Sequence, residues 1–198
     1  TTLTLGTSGD TVVVPSGVNL APGGGLTLTG ALAVDGGTVK LDGNYPTGTD
    51  NVALGNTALD SVEAGGTNNV AIGDDAGTAI TTGDNNVAVG KDALLSTTTA
   101  ANNVAIGSFS LDANTTGESN TGIGRNSLSD NIDGTYNTAV GHNSLANNTT
   151  ADNNTAMGYN ALVTNTTGCQ NVAVGTCSLS ANTDAFKNVA VGFEAGKD

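Results

Sequence analysis

The chain has 198 residues, of which 3% are aromatic, with no Trp and 29 Gly; this is too little bulky side chain for a conventional globular core. Its 18 acidic residues against 5 Lys and Arg give a net charge of −13, which argues against nucleic acid and anionic membranes as partners. No apolar run approaches the length of a membrane helix, so membrane insertion is not expected.

Residues 1–48 come first and keep no long period. Short alternating runs (TLTL, TVVV, LTLT, ALAV, TVKL) sit between Gly- and Pro-containing turns, which predicts a small β-structured lead-in. The stretch Asn44-Tyr45-Pro46-Thr47-Gly48 reads as the junction between this lead-in and a repeat tract.

Residues 49–198 are built on the pentapeptide Asn-(Val/Thr)-(Ala/Gly)-apolar-Gly. It occurs nine times, at Asn51, Asn69, Asn86, Asn103, Asn120, Asn137, Asn154, Asn171 and Asn188. The first step is 18 residues and the other seven are 17. A period this strict means stacked, near-identical units rather than a globular core around a cleft. Counting each Asn as position 1, β-branched residues at positions 2–4 predict a strand, and Ala/Ser-Leu at positions 8–10 predicts a second. The invariant Gly at position 5 and the Asn/Thr/Gly segment at positions 12–15 supply corners and exclude a helix. The expected fold is all-β: a parallel β-solenoid, or β-roll, of 17-residue coils. Nine coils at a spacing of roughly 4.8 Å make a shaft of about 40 Å. One coil buries too few apolar side chains to offset the entropy of ordering it, so the coils must stack.

The first strand predicts assembly. Positions 2 and 4 point to one side and position 3 to the other, yet all three are apolar in most coils. A strand covered on both faces reads this way. Positions 2 and 4 are expected to line the coil, and the small position-3 residues to pack along the axis of a homotrimer. Those residues are Ala53, Ala71, Ala88, Ala105, Gly122, Ala139, Ala156, Ala173 and Ala190. The nine position-1 asparagines are expected to stack as a ladder of side-chain amides. The ninth coil ends without a cap, so the natural polypeptide is expected to continue.

Little in the chain carries chemistry. His142 is the one histidine, at a position that varies freely between coils, and no catalytic triad, zinc spacing or calcium β-roll motif is present. Neither an enzyme nor a cofactor is expected. Cys169 and Cys177 have no disulfide framework around them and are expected to be unpaired. The recurring Thr pairs, such as Thr115-Thr116 and Thr166-Thr167, are adjacent turn residues whose side chains diverge, which disfavours a flat ice-binding row. Positions 6 and 7 come after the invariant Gly at a corner and should project into solvent. They carry Lys91, Phe109, Arg125, His142, Tyr159 and Phe193, an edge suited to a host glycan or a neighbouring virion protein, with Tyr159 and Phe193 as stacking platforms.

The pentapeptides NVAIG and NVAVG, with Ser or Ala three residues later, resemble the head repeats of trimeric autotransporter adhesins, although those repeats are shorter. Stretches such as NTAVGHNSLANNTTADNNTAMGYNALVTNTTG more closely resemble the repeat shafts of bacteriophage tail fibres and other virion appendages. The resemblance covers residues 51–198. It implies a rigid trimeric rod on a virus particle, extracellular and contributing to host attachment. The runner-up is a fragment of a bacterial adhesin head, and an ice- or carbohydrate-binding solenoid comes third.

Overall fold

The structure, a computed structural model, describes residues 43–45 and 48–197. The lead-in expected over residues 1–48 falls almost wholly outside them, and one compact unit runs from Leu41 to Asp198. Strand β1 (Gly43–Tyr45) pairs antiparallel with β2 (Gly48–Leu54). From β2 onward every pairing is parallel and keeps chain order: β3 (Val70–Ile72), β4 (Val87–Val89), β5 (Val104–Ile106), β6 (Thr121–Ile123), β7 (Thr138–Val140), β8 (Thr155–Met157), β9 (Val172–Val174) and β10 (Val189–Val191). Register is strict, with each repeat position on its own kind: Val104 faces Thr121, Ala105 faces Gly122, and Ile106 faces Ile123. This is a parallel β-solenoid, and the described residues contain no helix.

The strands after β2 stop at three residues because position 5 leaves the extended region. Gly124 has φ +130°, a conformation essentially reserved for glycine. A Cβ there would lie 2.6 Å from the Gly141 carbonyl of the next coil. Conformational freedom and close coil approach both require Gly at this position.

The second strand expected at positions 8–10 does not form; a continuous turn occupies positions 6–11. A coil of 17 residues must bend sharply to close, and it does so through left-handed residues at positions 7 and 9 and again just before the next Asn. In one coil these are Asn126, Leu128 and Tyr136, at φ 55°, 53° and 58°. Asn at position 7 suits that region. Leu at position 9 pays about 1–2 kcal/mol for it. Burying a Leu side chain, worth about 1.5–3 kcal/mol, offsets the strain. Leu94, Leu111, Leu128, Leu145 and Leu162 are all fully buried.

Position 3 faces inward, which overturns the trimer-axis assignment made from the sequence. Ala71, Ala88, Ala105, Ala139, Ala156, Ala173 and Ala190 are buried in a single chain and belong to the same core as the leucines. Gly122 is buried too, and Ala53 packs against that core. The reason is space. A Cβ on Gly77, which replaces Leu at position 9, would come within 3.8 Å of the Ala71 methyl across the coil. With one Leu filling each turn, only a methyl or a hydrogen fits opposite. Where Gly77 removes the Leu, Ile80 enters the core and is fully buried.

Polar ladders run beside this thin core. Each position-1 amide bonds upward twice: Asn120 Oδ1 accepts from Asn137 N (2.9 Å), and Asn120 Nδ2 donates to the Gly134 carbonyl (2.7 Å). The pattern runs unbroken from Asn51 to Asn171, and Asn171 Oδ1 accepts from Asn188 N at 3.0 Å. A second ladder, unforeseen from the sequence, climbs position 12 through Asn114, Asn131, Asn148, Asn165 and Asn182 at 2.7–3.1 Å. The two ladders converge. The Gly134 carbonyl accepts from both Asn120 and Asn131, and the Ala151 carbonyl from both Asn137 and Asn148. Buried polar groups are thereby paired rather than stranded.

Candidate interaction surfaces

Because position 3 turns inward, positions 2 and 4 turn outward, and the sheet presents two parallel files to solvent. Leu54, Ile72, Ile106, Ile123 and Met157 of the position-4 file are 37–47% exposed, and Val191 in the last coil is 69% exposed. The position-2 file is half-buried from Val52 to Val172 and includes Thr121, Thr138 and Thr155. None of these eighteen residues is charged, in a chain with 18 acidic and 5 basic residues. A continuous uncharged and largely apolar strip on an otherwise acidic surface marks a place for contact.

The second surface is the edge at positions 6 and 7, where the structure joins four of the six residues singled out from the sequence. The Arg125 guanidinium carbon lies 6.0 Å over the Phe109 ring. Arg125 Nη1 donates to His142 Nε2 at 3.4 Å. The His142 ring in turn stacks on Tyr159, with centroids 5.6 Å apart and planes inclined by 10°. Arg125, His142 and Tyr159 meet because strict register places position 6 of each coil over the last, and Phe109 reaches Arg125 from position 7 of the coil before. If His142 Nε2 accepts, its proton sits on Nδ1, which is enclosed without a partner. That desolvation is a cost the stack must offset.

Lys91 and Phe193 stand apart from this column. Lys91 pairs with Asp74 (3.1 Å) and Asp92 (3.3 Å). The hydrogen bond to Asp74 raises the Lys91 pKa and lowers that of Asp74. Phe193 is 74% exposed in the ninth coil, with the small Thr176 between it and Tyr159.

Other chemistry-bearing groups remain scattered. Among the described residues no group of three His, Cys, Asp or Glu could hold a metal ion. Cys169 and Cys177 are free and half-buried. In the Thr pairs that begin at Thr81, Thr115, Thr149 and Thr166 the first hydroxyl bonds to the next coil, as Thr115 does to the Ile132 carbonyl at 3.1 Å, and Thr116 is exposed. Asp112 keeps one carboxylate oxygen enclosed and unpartnered. Burial first, then the nearby Asp130 and Asp92 charges, push its pKa up to about 6.

Compared with protein-family models, curated proteins and solved structures, the chain matches none. The fold and these two surfaces therefore define it at the level of a β-solenoid repeat protein.

Proposed function

We propose that this chain is the shaft of a structural and adhesive fibre, in which three copies pack their outward strand faces around a common axis. The observation that carries the reading is the uncharged and largely apolar strip at positions 2 and 4. Uncharged residues of similar size recur at each coil, so a second copy in register meets the same kind of chemistry at every level. The thin interior, with one Leu per turn, adds a reason for further burial. With 13 net negative charges repelling between copies, the strip is where chains can approach at least electrostatic cost. Three copies, placement on a virion and a part in host attachment rest on the resemblance of the repeats to fibre shafts. No catalytic role is assigned: the lone histidine stacks on Tyr159 and accepts a hydrogen bond from Arg125 rather than meeting an acid or a nucleophile.

Two classes of substitution test this. Ile106→Glu with Ile123→Glu places charge on the strip and should leave coils folded but unassembled, because the charges are tolerated in water and not in an apolar interface. Ala105→Glu should instead unfold the coil, since that methyl is already 0% exposed in one chain. Light scattering and circular dichroism read the two outcomes separately. A monomeric parent protein, or a trimer indifferent to the double Glu substitution, would refute the assembly.

A further inference from the structure

The column Phe109–Arg125–His142–Tyr159 has a chemistry that a spacer rod does not need. Arg125 is exposed and makes no ion pair among the described residues, although acids outnumber bases 18 to 5 in the chain. The contrast on the same edge is direct: two coils before it, Lys91 is held by Asp74 and Asp92. Around Arg125 the neighbours are instead a ring face and one imidazole nitrogen. Those take up the guanidinium face and one of its five N–H donors, leaving the rest for a planar acceptor. Two coils on, Tyr159 is 51% exposed and offers a ring edge and a hydroxyl. The next residue in the row, Thr176, is too small to cover the far face of that ring.

We propose that this column binds a carboxylated saccharide. The carboxylate pairs side-on with Arg125, the geometry in which guanidinium and carboxylate match. The apolar face of the sugar lies against Tyr159, and a ring hydroxyl meets the phenol. From Arg125 to Tyr159 is two coil spacings, roughly 10 Å, within reach of a short oligosaccharide. A sugar fits better than an acidic peptide. It brings one charge with an amphipathic ring, whereas a run of carboxylates would be repelled by a chain of net charge −13. The proposal gives the attachment reading a ligand class and rests on it only for its biological setting.

The test is titration of the full chain with methyl glucuronide and with methyl glucoside, which differ only in carboxylate against hydroxymethyl, monitored by saturation-transfer NMR. The glucuronide should bind and the glucoside should bind at least tenfold more weakly. Arg125→Gln should cost at least tenfold for the glucuronide and Tyr159→Ser several-fold, while Lys91→Gln changes nothing. Position 6 lies outside the left-handed corners, so these variants should keep the parent melting curve. Absence of glucuronide binding, equal binding by Arg125→Gln, or equally tight binding of a short polyglutamate would each overturn the proposal. Light scattering on the same samples separates the two readings. A trimer that ignores the glucuronide removes this site and leaves the fibre; a monomer that binds it removes the assembly and leaves the site.

Discussion

Replacing Asn137 by Ala should destabilise the solenoid by about 1.5–4.5 kcal/mol, a figure set by where its bonds go. Asn137 Oδ1 accepts from the Asn154 N–H at 2.9 Å, and that N–H is buried with no other acceptor. Stranding it costs about 1–3 kcal/mol. Asn137 Nδ2 donates to the Ala151 carbonyl at 2.7 Å, but Asn148 donates to the same oxygen at 3.0 Å. That oxygen stays paired, so the loss there is one ordinary bond, about 0.5–1.5 kcal/mol. Urea unfolding monitored by circular dichroism measures the total, at fixed protein concentration because the proposed assembly would make the midpoint concentration-dependent. The damage should also be local. Coils contact only their neighbours, so amide exchange should rise in the coils beginning at Asn137 and Asn154 before it rises elsewhere. A loss below about 1 kcal/mol would show that the amide ladder is incidental, contrary to the cost of an unmet buried donor.

The shared carbonyl makes a further expectation: Asn137→Ala combined with Asn148→Ala should exceed the sum of the singles by about 1–2 kcal/mol, because only the pair leaves Ala151 without a donor. A double-mutant cycle in urea reads that coupling, and strict additivity would refute the convergence of the ladders. Gly124→Ala should prevent folding, with its methyl 2.6 Å from the Gly141 carbonyl and φ at +130°, as seen by loss of the thermal transition. Gly122→Ala should cost only about 1 kcal/mol, since the methyl meets the Ser110 and Ser127 hydroxyls, which can turn aside. Asp112 supplies a pH dependence whose sign is fixed by its pKa of about 6, above the ordinary 3.8. The folded chain holds that proton more tightly than the unfolded chain, so stability should fall as pH rises from about 4 to about 6. Asp112→Asn should therefore raise the melting temperature at pH 8 and leave it nearly unchanged at pH 4, modestly because the residue is half-buried.

The period, the parallel stacking and the invariant Asn and Gly were decided by the sequence alone. In a solenoid each residue stacks on its own kind, so Asn120 on Asn137 and Gly124 against Gly141 leave their spacing directly in the chain. Asn at position 7, as in Asn126 and Asn143, was a readable sign of a left-handed corner, and Asn at position 12 a sign of a second ladder. Leu128 at φ 53° was not readable, because only the burial of its side chain makes that conformation tolerable. The facing of the strand was hidden for a related reason. Val-Ala-Val is apolar on both sides, so alternation of period two tells which residues share a face and not which face is inside. Tertiary structure decides it through the leucine that closes each turn: its volume leaves room for Ala139 alone and turns Thr138 and Val140 out to the surface.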